Sequence, residues 1–96
     1  MRRRWTRRAE RDLDAIAEYI GAENPAAAAT VVLEIIGQVE ALLPAYPAIG
    51  RPGRVGGTRE LVIRGLPYIV PYRLRGDDVE LLRVLHTSRR WPGRFR

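Results

Sequence analysis

Apolar residues recur at helical spacing as far as Leu43 and at the two-residue spacing of strands from Thr58 onward. In the first half, Ala9, Leu13, Ile16 and Ile20 form one stripe, while Arg8, Arg11, Asp12, Asp14 and Glu18 fall mostly off it. Thr6 is placed to cap this helix and Gly21 suits its end. Asn24 followed by Pro25 is a helix start: a capping side chain, then the residue best tolerated in the first turn. The second stripe, Ala28, Val32, Ile35, Val39 and Leu42, is widened by Val31, Ile36 and Leu43, and Pro44 closes it. Two amphipathic helices joined by so few residues make a helical hairpin. The segment 44–57, PAYPAIGRPGRVGG, is a loop, long for so small a domain and therefore a functional candidate.

Beyond it the alternation predicts three strands, RELVIR (59–64), YIVPYRL (68–74) and VELLRVLH (79–86). Gly76-Asp77 is a two-residue hairpin connection between the last two. On the middle strand Tyr68, Val70, Tyr72 and Leu74 share one face, and Ile69, Pro71 and Arg73 the other. Pro71 cannot donate to a ladder, so a bulge or an edge-like position is expected there. The last strand is apolar on both faces, which marks an inner strand. The fold class is α+β: an N-terminal helical hairpin packed on one face of a small antiparallel sheet, the other face partly open. A short N-terminal strand at RRRW, ahead of Thr6, is compatible with this arrangement.

Ninety-six residues make a single domain, 1–96. Its 46% hydrophobic content is too high for a disordered chain. Seventeen basic residues, all arginine, outweigh eleven acidic ones for a net charge of +6. A GC-rich genome accounts for arginine in place of lysine, but not for the excess. Arginine meets phosphate and carboxylate bidentately, which points to nucleic acid or an acidic protein partner. Absence of cysteine excludes disulfides and thiolate zinc sites, and a lone histidine argues against a histidine metal site. No metal and no cofactor is expected. The basic start lacks a following apolar region, and no run approaches the length of a membrane span, so a cytoplasmic protein without membrane contact is expected.

Chemistry, if any, falls on Arg59, Arg64, Arg73, Arg75, Arg83 and His86 of the strands and on Arg89, Arg90 and Arg94 of the tail. RNA cleavage needs a base, an acid and cations for the phosphorane charge. His86 could supply the first or second, with Arg73 and Arg89 as clamp. Alternation places Arg83 and His86 on opposite faces, unless the strand ends before His86. The bland alternative makes His86 a strand-end residue, Trp91 a lid or tail anchor and the arginine run a docking patch. Gly53-x-x-Gly56 has the spacing of a phosphate-clamping loop, though a lone match carries little information.

The stretches RRAERDLDAIAEYI, PAIGRPG and GTRELVIRGLPYIVPYRLRGDDVELLRVLHTSRRWP, in this order and spacing, resemble the RelE/ParE superfamily of type II toxin–antitoxin toxins over nearly the whole chain. The resemblance implies two helices on a small antiparallel sheet. It also implies a toxin held inactive by a cognate antitoxin, whose wrapping segment is expected to be acidic and which alone meets operator DNA. One branch cleaves mRNA on the ribosome; the other, ParE-like, inhibits DNA gyrase without a nuclease centre. The ribonuclease branch commonly has an arginine after the aromatic that opens the middle strand, where this chain has Ile69 after Tyr68. It also lacks a tail tyrosine, although Arg89 falls near a ribonuclease tail arginine. LRVLHTSRRWP is similar to the tail of the ParE-like, plasmid-stabilisation branch.

The reading that follows is a ParE-like gyrase inhibitor acting by protein–protein contact. Target or antitoxin would be bound through Arg59, Arg73, Arg83, Arg89, Arg90, Trp91 and Arg94. The alternatives are a ribosome-dependent mRNA endonuclease using His86, Arg73 and Arg89, and a non-toxic corepressor acting with its antitoxin.

Overall fold

A computed structural model describes residues 1–95. The elements run β1 (Arg2–Trp5), α1 (Arg7–Gly21), α2 (Pro25–Leu42), β2 (Arg51–Pro52), β3 (Arg59–Val62), β4 (Tyr68–Arg75), β5 (Asp78–Leu81) and β6 (Leu85–His86). Both helix starts follow from side-chain capping. Thr6 Oγ1 accepts from Ala9 N and Asn24 Oδ1 from Ala27 N, each filling an orphan donor of the first turn. The sheet order is β1-β5-β4-β3-β2, with β6 pairing β4 beyond the end of β5. The three-strand meander is therefore present. The N-terminal strand adds to β5 in parallel, so the sheet is mixed rather than wholly antiparallel. The long loop is not all loop, because Arg51 and Pro52 pair with Glu60 and Arg59.

The core lies between the hairpin and one face of the sheet. Ala9, Leu13, Ile35 and Val39 meet Leu61, Ile63, Val70, Tyr72, Val79 and Leu81. Each fully buried aliphatic side chain contributes about 1.5–3 kcal/mol relative to exposure. Contrary to the sequence expectation, α2 is long and apolar enough, by length and composition, to cross a membrane, since alanines fill its flanks. Its Ile35 and Val39 are buried in the core.

The last predicted strand is broken. Tyr72 pairs with Leu81, but Ile69 pairs with Leu85, so three steps on β4 face four on its neighbour. One extra residue makes a bulge between β5 and β6. It lies opposite Pro71, whose carbonyl accepts from Leu82 N at 2.9 Å. Pro71 has no N–H to return to Leu82 O. The Thr6 hydroxyl takes that role, 3.2 Å from Leu82 O and 2.8 Å from Leu81 O.

Candidate functional site

The bulge shifts side-chain parity, and with it the position of His86. Arg83 and His86 lie on the same side of the sheet, lining one cleft, and not on opposite faces as unbroken alternation requires. The cleft holds about 720 Å³ between α1 and β6. Ala15, Ile16 and Ile20 form its helical wall and Val84 and His86 its sheet wall, while Leu85 pairs with Ile69 and turns its side chain to the other face. Arg89 and Arg90 stand at the start of the tail, and exposed Tyr19 projects at the mouth.

Asp12 fixes the geometry of this region. Its carboxylate accepts from Arg83 Nε at 2.8 Å, from Arg83 Nη2 at 3.2 Å and from Val84 N at 2.8 Å. The pair is largely buried, at 17% exposure on each side chain, so Arg83 is a structural cation tying the bulge to α1.

His86 belongs to the strand end. Its ring stands edge-on to Tyr68 with centroids 5.3 Å apart. Ser88 N donates to Nδ1 at 3.1 Å, and Ser88 Oγ lies 2.8 Å from the same atom. A backbone N–H can only donate, so the neutral ring carries its proton on Nε2. Burial pushes the Tyr68 phenol up; the Arg89 charge opposes this and Tyr19 reinforces it. Tyr68 therefore remains a neutral hydroxyl in ordinary buffers.

The three residues of a hypothetical nuclease do not converge. His86 and Arg89 line the cleft on the helical side. Arg73 follows core-facing Tyr72 and points to the opposite face, where its Nε donates to Glu80 Oε1 at 2.6 Å. That face is closed at its centre: Ile69, Pro71, Glu60 and Glu80 are buried. Glu80 is bracketed by Arg4 and Arg73, and Glu60 by Arg51 and Arg54. The expectation of a partly open second face therefore fails at the centre, because buried carboxylates draw the arginine stems across it. Trp91 is the tail's anchor, with the Arg54 guanidinium 3.7 Å from its ring centroid and its indole Nε1 buried without a hydrogen-bond partner among the described residues.

The proline- and glycine-rich loop is held from within. Tyr72 OH donates to Pro47 O and accepts from Gly50 N, both at 2.8 Å. Arg59 Nη1 donates to Ala48 O and Gly50 O, so Arg59 is a loop brace and not a free cation. Gly53 N donates to Thr58 O at 2.8 Å, leaving it no N–H for a phosphate. A Cβ at Gly53 would meet the Thr58 side chain, so the glycine spacing serves close packing.

Of the residues selected from sequence, Arg89 and Arg90 reach the cleft and Arg94 is exposed on the tail. Arg59, Arg73 and Arg83 are engaged in the fold. Sequence reading passed over Asp12, Tyr19, Arg54, Glu60 and Glu80. The signal for the two glutamates was an acidic residue at an alternating position within an apolar strand; for Asp12 there was none, since its partner lies 71 residues away.

Comparison with known proteins agrees along most of the chain. Residues 3–91 match the ParE toxin of type II toxin–antitoxin system, parDE. A putative toxin, Y4kP, of Sinorhizobium fredii is 54% identical over 93% of this chain and 91% of its own length. Toxin RelE2 of Caulobacter vibrioides is 36% identical over 88% and 93%. A structure of the chromosomal ParDE toxin–antitoxin system from P. aeruginosa superposes with a TM-score of 0.85 at 33% identity, covering 92% of this chain and 97% of that one.

Proposed function

The chain belongs to the ParE toxin family of type II toxin–antitoxin systems, and on that premise we propose that it arrests growth by binding DNA gyrase, without chemistry of its own. An antitoxin holds it inactive until that partner is lost. The observation that carries this reading is the dispersal of the nuclease set. Arg73 is bound to buried Glu80 on one face of the sheet, while His86 and Arg89 lie on the other. Phosphoryl chemistry needs its base, acid and cations around one phosphate, and this sheet keeps them apart. Docking then falls to cations without a carboxylate partner among the described residues, Arg89, Arg90 and Arg94 among them, while Arg59, Arg73 and Arg83 stabilise the scaffold.

The second reading, ribosome-dependent mRNA cleavage, is favoured by one observation, the name Toxin RelE2 carried by the Caulobacter relative. One culture separates the two. Induced without antitoxin, the chain is expected to raise a DNA-damage reporter before amino-acid incorporation falls. Early loss of protein synthesis with fragmented mRNA would replace the gyrase reading by the nuclease one. His86→Ala is expected to leave growth arrest within about three-fold of the unsubstituted chain, as a strand-end contact outside any reacting centre should.

A further inference from the structure

The chain has one serine and one histidine, and the turn after β6 sets them side by side. Ser88 Oγ lies 2.8 Å from His86 Nδ1. Ser88 N donates to that same nitrogen at 3.1 Å, so Nδ1 bears no proton and accepts the hydroxyl as well. Two backbone bonds hold the turn: Thr87 N donates to Pro67 O at 3.0 Å and Arg89 N to His86 O at 3.2 Å. Tyr68 fixes the ring from the side, edge-on with centroids 5.3 Å apart. The result is an exposed hydroxyl whose proton already points at a base.

The neighbours of this hydroxyl select the group it would take. Arg89 and Arg90 follow directly, and neither makes an ion pair with a carboxylate among the described residues. Asp12, the nearest acid, is consumed by Arg83 and Val84 N. Two guanidiniums without an anion fit a phosphoryl group, which carries about two negative charges once attached to serine. Acyl transfer fits less well. No carboxylate orients His86 Nε2 among the described residues, and a ring nitrogen shared by two donors is a weak base. The site is suited to receive a group once, not to turn over a substrate.

We propose that Ser88 is a phosphoryl acceptor, modified from a nucleoside triphosphate by a separate kinase, and that its phosphate engages Arg89 and Arg90 and silences the toxin. Ser88 Oγ attacks the γ-phosphorus, the bond from that phosphorus to the β–γ bridging oxygen breaks, and the nucleoside diphosphate leaves with the electron pair. His86 Nδ1 takes the hydroxyl proton and returns it to water. The silencing rests on the reading of the chain as a toxin that docks through these arginines; the acceptor site does not. Treated with a fluorophosphonate, whose P–F bond breaks as Oγ attaches and fluoride leaves, the purified chain is expected to gain an adduct on Ser88 in the tryptic peptide 84–89, with Thr87 untouched. His86→Ala is expected to slow labelling at least about ten-fold. Equal labelling of Thr87, or no dependence on His86, overturns the activated hydroxyl. With phosphoserine installed at residue 88 during translation, phosphorus NMR is expected to place its second ionisation below the ordinary value of about 6, and Arg89→Ala with Arg90→Ala to restore it. A phosphate that titrates as in a free peptide overturns the clamp. In cells, Ser88→phosphoserine is expected to cut growth arrest at least about ten-fold. Ser88→Ala, and Thr30→phosphoserine at an exposed position of α2, are expected to stay within about three-fold. Full arrest by the chain phosphorylated at Ser88 overturns the silencing. If the unsubstituted chain arrests no growth, the toxin reading alone has failed, because labelling and NMR still decide the acceptor site.

Discussion

Tyr72 joins the core to the loop through one oxygen. Its ring is fully buried, and its hydroxyl bonds both Pro47 O and Gly50 N. Tyr72→Phe leaves a buried N–H unsatisfied and is expected to cost about 1–3 kcal/mol in urea unfolding. Burial pushes the Tyr72 phenol up, partly offset by the Gly50 N–H and the Arg59 charge. A group whose folded value is raised contributes stability that is intact below its unfolded value and is lost as pH rises past it. Melting is therefore expected to show no tyrosine-linked loss up to about pH 9 and to fall above about 10. Tyr72→Phe should flatten that fall, and an unchanged alkaline slope would refute the linkage. Asp12 is the second residue of this kind. Asp12→Ala leaves Arg83 and Val84 N without their partner and is expected to cost roughly 3 kcal/mol. None of this was legible from Asp12 itself, which reads as one more charge on a solvated helix face.

Elements were more legible than their junctions. Caps at Thr6 and Asn24, the helical stripes and the Gly76 turn, left-handed at φ 59, follow from neighbours in sequence. Local rules of this kind need no knowledge of the rest of the chain. The missing N–H of Pro71 was also readable, and the strand opposite it does break. Which side the break would repair from was not, because the Thr6 hydroxyl arrives from a loop 76 residues away from Leu82. Thr6→Val removes both the cap and that donor, and is expected to cost about 1–2 kcal/mol. A loss confined to helix content, with the Leu82 region unchanged in amide exchange, would show that the hydroxyl does not support the bulge. The bulge also corrects the predicted separation of Arg83 and His86, since one added residue inverts every side chain beyond it.

At the scale of the whole molecule, net charge misleads about which charges are available. Seven described arginines pair with carboxylates within the fold, and two of those carboxylates, Glu60 and Glu80, are 2% exposed. The tail is fastened to this network through Trp91 and Arg54. Trp91→Ala is expected to cost only about 1 kcal/mol while speeding amide exchange over residues 88–95. Uniform slowing or no change there would deny the anchor. By itself the sequence determined the α+β class, both helices, the meander and, through its resemblance, the toxin family, because periodicity and capping are written in local chemistry. Only the tertiary structure decided that Arg59, Arg73 and Arg83 are spent on the scaffold, that the nuclease trio is split across the sheet, and that Arg89 and Arg90 flank an apolar cleft. Those outcomes depend on partners distant in the chain, and pairing at a distance leaves no periodic trace.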